Sequence, residues 1–171
     1  MATSNIRENV ARVRERIARA AKHVGRELKE ITLVAVTKTV EIKKIKEAVS
    51  AGINVLGENY IQEAKENIRK IPSGDKGVHW HFIGHLQKNK VKDAVELFDM
   101  IETVDSISLA IELNKRTSKR LNVLIQVNLA KETTKGGIDE NKVLELAHEI
   151  ASLENLSLKG LMTIPPLFED P

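Results

Sequence analysis

Lys38 closes the run Ile31-Thr32-Leu33-Val34-Ala35-Val36-Thr37, which is nearly all apolar and β-branched. That composition suits a parallel-sheet strand covered on both faces, and a helical pattern resumes near Glu41. In βα architectures ligands gather at the carboxyl ends of the strands. Partial withdrawal of an amine from water there favours its neutral form, and a neutral amine attacks an aldehyde to give a Schiff base. On this segment alone a lysine snorkelling from a strand end accounts for the same pattern. Lys38 therefore needs other chemical groups beside it.

Three further segments offer them. In Gly57-Glu58-Asn59 the glycine lets backbone approach a ligand closely, and Asn59 suits either a ligand contact or a helix cap. The stretch Trp80 to Lys90 holds the only tryptophan, His81 and His85, and Gly84 at a strand-to-helix bend. His79, His81 and His85 invite a metal reading, and His79 and His81 share a strand face. No cysteine or carboxylate stands at ligand spacing, so no metal is expected and an imidazole packed on, or hydrogen-bonded to, a ring suits the pattern better. Gln126-Val127-Asn128-Leu129 ends a strand in amides, and Lys131 to Gly137 follows as a basic, glycine-containing loop. Such a loop suits an anion held by backbone N–H groups and equally suits an ordinary surface loop.

The elements that must position these groups alternate regularly. Asn5 and Glu8 have the spacing of a capping box for a helix running to about Val24, with Ile6, Val10, Val13 and Ile17 as its apolar stripe and Gly25 as its stop. Strands are expected at Ile31–Thr37, Ile53–Leu56, Val78–Ile83, Met100–Thr103, Asn122–Leu129 and Leu156–Thr163. Helices are expected at Glu41–Ala51, Asn59–Lys70, Gln87–Phe98, Ser106–Arg120 with Asp105 as cap, and Asp139–Leu153. The turn Pro72-Ser73-Gly74-Asp75 punctuates the second and third units, and Pro165-Pro166 follows the sixth strand. Six alternating units make a parallel α/β fold. A doubly wound dinucleotide fold should carry a glycine fingerprint after its first strand, and Thr37-Lys38-Thr39-Val40-Glu41 contains no glycine. Polar residues recur instead at nearly every strand's C-terminal end, the pattern of a barrel. A full barrel typically needs roughly 250 residues, so 171 residues read as a single domain, a barrel stopped after about six strands with an extra N-terminal helix.

Composition narrows the function classes. With 42% hydrophobic residues the chain can build one core, and zero cysteines exclude disulfides and thiolate metal sites while agreeing with a reducing cytoplasm. No apolar run approaches the ~20 residues of a membrane span, and no secretory leader is expected. A net charge of +3 from 27 basic and 24 acidic residues is a mixed surface, and 3% aromatics leave few stacking platforms. Nucleic acid is not an expected partner. The Arg-rich first helix is interrupted by Glu8 and Glu15, unlike a transit peptide.

Five stretches together resemble one family. They are Leu33–Thr39, Gly57–Glu63, His81–Lys90, Asn128–Gly137 and Gly160–Pro165, in family order from about residue 5 onward. The family is that of the pyridoxal phosphate homeostasis proteins, relatives of the N-terminal barrel of alanine racemase. The resemblance implies a TIM-type (β/α) barrel that binds pyridoxal 5'-phosphate (PLP) and acts in vitamin B6 homeostasis. It implies Lys38 as the PLP lysine, with Asn59, His81, Asn128 and Met162 around the ring. It also implies later strands bearing a Ser/Gly-rich phosphate cup and an arginine facing the pyridine nitrogen, neither of which occurs by Pro171. The complete protein is expected to be a monomer with PLP-dependent apoenzymes as candidate recipients, and the two open sheet edges of this chain to be covered by further strands or by another chain. The competing reading is a PLP-dependent amino-acid racemase, whose second base is a tyrosine. The only tyrosine here is Tyr60, where the resemblance places nothing catalytic.

Overall fold

The computed structural model describes residues 5–74, 77–129 and 136–165. Six parallel strands form one sheet: β1 (Val34–Val36), β2 (Val55–Glu58), β3 (His79–Phe82), β4 (Met100–Val104), β5 (Leu121–Val127) and β6 (Leu156–Thr163). Their spatial order is their chain order. A doubly wound sheet reverses direction part-way, whereas each unit here adds its strand on the same side, as in a barrel. The helices α1 (Ile6–His23), α2 (Ile42–Ser50), α3 (Ile61–Lys70), α4 (Val91–Leu97), α5 (Ile107–Arg116) and α6 (Val143–Ala151) complete the units.

Alternation along β3 shows how the layers divide. Trp80 and Phe82 are buried toward the helices. The Trp80 indole N–H donates to the Ile71 carbonyl at 3.0 Å, just past α3. Phe82 meets Phe98, just past α4, edge to face at 5.2 Å between centroids. His79 and His81 take the opposite face. Leu56, Ile101, Val123 and Ile125 join Trp80 and Phe82 in one continuous core with Ile45, Ala64, Ala94, Leu113 and Ile150 from the helices.

Several expected boundaries move for identifiable reasons. β1 keeps only three of its seven expected residues because its single neighbour pairs Val34 with Val55 and Val36 with Gly57 and offers no earlier partner. β2 instead runs on through Gly57 and Glu58, which pair with His81 and Phe82. Asn59 does not cap α3, since Tyr60 is the residue before it, and Ser106 rather than Asp105 precedes α5. Asn5 does cap α1 by accepting from the Arg7 N–H, but Glu8 takes Asn5's side-chain amide instead of its backbone N–H. α4 and α6 begin in 3₁₀ turns, Lys88–Lys90 and Glu140–Lys142. β6 spans Leu156–Thr163 as expected. Asp75, Pro166 and the loop Lys131–Lys135 lie outside the described residues. Among the described residues no helix is long and apolar enough to cross a membrane.

Trp80 has no exposed surface and satisfies its only side-chain donor. Trp80→Ala should lower unfolding free energy by about 4 kcal/mol, measured by urea denaturation.

Candidate functional site

Lys38 follows β1 in a four-residue turn closed by the Val40 N–H donating to the Thr37 carbonyl at 3.0 Å. Thr39 sits at φ 59°, the left-handed region that β-branched residues avoid. Lys38 is exposed. The burial expected around its amine is therefore not supplied by the described residues.

What holds that turn is a buried carboxylate. Glu58 has no exposed surface. Its Oε1 accepts from Thr37 Oγ1 at 2.7 Å and from Asn67 Nδ2 on α3 at 2.9 Å. Its Oε2 is buried without a hydrogen-bond partner among the described residues. Burial pushes the Glu58 carboxyl up, the bonds from Thr37 and Asn67 pull it back, and the charge of Glu63 adds to the rise. One turn before Asn67 on α3, Glu63 Oε2 accepts from the Thr39 N–H at 2.9 Å.

Asn59 follows β2 and is half-buried, with Oδ1 buried and unpartnered among the described residues. Its backbone packs against Gly84 so closely that a Cβ there would lie 2.2 Å from the Asn59 carbonyl oxygen. Only glycine permits that approach. Thr103 Oγ1 donates to the Gly84 carbonyl at 2.6 Å and ties the end of β4 to the same bend. Beside it a cleft of about 210 Å³ is lined by Asn59, Tyr60, Phe82, His85, Leu86 and Lys90.

His81 lies on the sheet face away from the helices, in the row of Val36 and Gly57. Its Nδ1 is 2.6 Å from Glu102 Oε1, and both side chains are largely buried. His79, two residues earlier, faces Asp99 at 3.7 Å. Each imidazole of β3 thus has its own carboxylate. Asn128 is half-buried just after β5, its N–H donating to the Ile138 carbonyl at 2.9 Å. Met162, half-buried in β6, pairs with Gln126, whose amide donates to the Gly136 carbonyl at 3.2 Å. Lys38, Asn59 and His81 therefore occupy three adjacent units at one side of the sheet, and Asn128 and Met162 stand at the other.

The model of the alanine racemase N-terminal domain family matches residues 3–171. The pyridoxal phosphate homeostasis protein of Escherichia coli is 44% identical over 166 residues, covering 95% of this chain and 71% of that relative. This chain belongs to the pyridoxal phosphate homeostasis protein family. A protein of Bifidobacterium adolescentis of solved structure superposes with a TM-score of 0.87 at 35% identity, over 97% of this chain and 72% of that one. PipY of Synechococcus elongatus, solved with PLP bound, superposes with a TM-score of 0.75 at 30% identity, over 90% of this chain and 72% of its own.

Within this family fold, Glu58, Glu63, Asn67 and Glu102 are polar participants that sequence reading passed over. Glu58 reads in sequence as one more polar strand-end residue, yet it faces the helix layer. The available signal was spacing: Glu63 and Asn67 lie on one helical face, downstream of a glutamate at a strand end. Glu102 and His81 come from different strands, and no local pattern links them.

Glu58 gives a pH dependence with a definite sign. Between the ordinary carboxyl range and its raised value, the folded chain binds more protons than the unfolded one, so stability falls as pH rises through that window. Glu58→Gln should flatten that part of the curve and be relatively more stable above it. Urea titrations of both proteins across the window provide the comparison. A wild-type curve no steeper than that of the variant would contradict the assignment.

Proposed function

We propose that this chain holds PLP through Lys38 as a Schiff base and serves PLP homeostasis as a carrier or regulator that turns over no substrate. One observation carries the proposal: an exposed primary amine stands in a conformationally fixed turn at the C-terminal end of β1, where βα folds bind ligands. The relative in Escherichia coli is named for PLP homeostasis, and PipY was solved with PLP bound.

The residues present suit that cofactor. Lys38 offers the amine that PLP's aldehyde requires. His81, its Nδ1 engaged by Glu102, offers a fixed imidazole edge or face to a ring. The buried, unpartnered Asn59 oxygen suits a hydroxyl donor. Asn128 and Met162 complete the set from β5 and β6, as an amide and a soft apolar contact. When bound, PLP supplies a reactive aldehyde on an electron-withdrawing ring. The chain's own part is to hold and orient it.

A racemase needs a second base on the far side of the ring. Tyr60 is 56% exposed and lines the cleft between the start of α3 and the Gly84 bend, with no hydrogen-bond partner among the described residues to activate its hydroxyl. That placement favours carriage over turnover. In this reading the chain forms one PLP-binding domain of a cytoplasmic protein, its cargo passes to PLP-dependent apoenzymes, and further strands or a second chain pair with the edges at β1 and β6.

Lys38→Ala should abolish the borohydride-trapped PLP adduct seen by mass spectrometry while changing stability by no more than about 0.5 kcal/mol, as is usual for an exposed site. A full adduct in that variant would sink the assignment. Incubation with L-alanine and PLP should yield no D-alanine above background by chiral chromatography, and sustained conversion would establish the racemase instead.

A further inference from the structure

We propose that Glu58 and Glu63 are positioning residues for Lys38, gripping its turn on both flanks so that the amine is presented in one direction. This role presupposes that Lys38 carries PLP, as proposed above.

Lys38 is the second residue of the turn 37–40, and Thr39 the third, at φ 59°. That is the pattern of a type II turn, whose third position favours glycine. A β-branched residue persists there only where its surroundings hold it. Two carboxylates do so. Thr37 Oγ1 donates to Glu58 Oε1 at 2.7 Å, and the Thr39 N–H donates to Glu63 Oε2 at 2.9 Å. Glu58 is itself fixed by Asn67, one turn beyond Glu63 on the same face of α3. The Thr37 side chain and the Thr39 backbone, on either side of Lys38, are thereby tied to the β2–α3 unit, alongside the Thr37 N–H that donates to the Gly57 carbonyl at 2.9 Å. Among the described residues Lys38 has no ion pair, so the grip falls on the neighbours and leaves Nζ uncommitted.

This grip matters to attachment more than to affinity. In the attachment step the lysine nitrogen bonds to the aldehyde carbon, and the carbonyl oxygen leaves as water with the two amine hydrogens. No oxidation state changes. The rate depends on how often the amine is held in line with the carbonyl carbon. Recognition of the ring and phosphate does not depend on it.

Glu63→Ala and Thr37→Val each remove one half of the grip, and Glu63→Gln keeps an acceptor for the Thr39 N–H. The rate of PLP attachment to this chain is followed by borohydride quenching and mass spectrometry. Affinity for pyridoxamine 5'-phosphate, which carries an amine in place of the aldehyde and cannot be attached, is measured in parallel, with thermal melts to confirm folding. Glu63→Ala and Thr37→Val should slow attachment about tenfold or more, while pyridoxamine 5'-phosphate affinity stays within about twofold and Glu63→Gln keeps the wild-type rate. Wild-type attachment rates in both Glu63→Ala and Thr37→Val would overturn the role. An equal fall in attachment and in pyridoxamine 5'-phosphate affinity would overturn it too, as damage to the whole site. Lys38→Ala separates the two levels. Attachment persisting in Lys38→Ala removes the Lys38 reading itself, whereas attachment lost there but unaltered in the other variants removes only the grip.

Discussion

A carboxylate without exposed surface joins three parts of this molecule. Glu58 belongs to β2, receives Thr37 from the end of β1 and receives Asn67 from α3. Burying such a group is unfavourable unless it is hydrogen-bonded or neutral; here two donors converge on Oε1 and oppose the rise that burial imposes on the carboxyl. The arrangement is specific because few side chains other than a short hydroxyl and a short amide reach one oxygen from two elements. An apolar residue at 58 would avoid burying a carboxyl but leave the Asn67 amide without this acceptor and the Thr37 hydroxyl with only the Gly57 carbonyl, at 3.2 Å. The turn bearing Lys38 is thus located by polar contacts on the helix side of the sheet, not by packing in the barrel interior.

The opposite face of the sheet has another character. There the row Val36, Gly57 and His81 runs across three strands, Gly57 leaving room filled by Ile83 and Val34. Val36, on this face at the β1 edge, is 51% exposed, while Leu161, which pairs with Ile125 on the helix side at the β6 edge, is 59% exposed. Away from that edge the helix layer is a closed core, with Trp80, Phe82, Phe98 and Ile101 all buried. The two faces therefore divide the labour: one supplies most of the stability, the other carries the polar groups proposed to meet the cofactor.

Much of this was legible from residue order. The alternation of apolar β-branched runs with 3.6-period segments located every unit, and the missing glycine fingerprint after Thr37 excluded a dinucleotide sheet. Strand ends were less legible, because an edge strand is only as long as its neighbour allows. Ile31–Leu33 read as strand by composition but have no ladder partner among the described residues, while Gly57 and Glu58 read as turn and are strand. The exposure of Lys38 could not be read from the apolar run before it, since exposure depends on what lies across the sheet. Nor could the pairing of His81 with Glu102, which requires β3 and β4 to be neighbours in a particular register. Sequence patterns report periodicity within an element, and these contacts arise between elements.

The strand order has a consequence for how the chain reaches this state. Val34 meets Val55, Val55 meets His79, His81 meets Met100, Met100 meets Asn122 and Leu121 meets Leu156. Every ladder joins segments about 20–35 residues apart, so each loop closure is short and its entropic toll modest. Relative contact order is accordingly low for a sheet protein, and the sheet can grow by one unit at a time in the direction of synthesis. The Lys38 turn, tied as it is to β2 and α3, acquires its shape as soon as the second unit docks on the first.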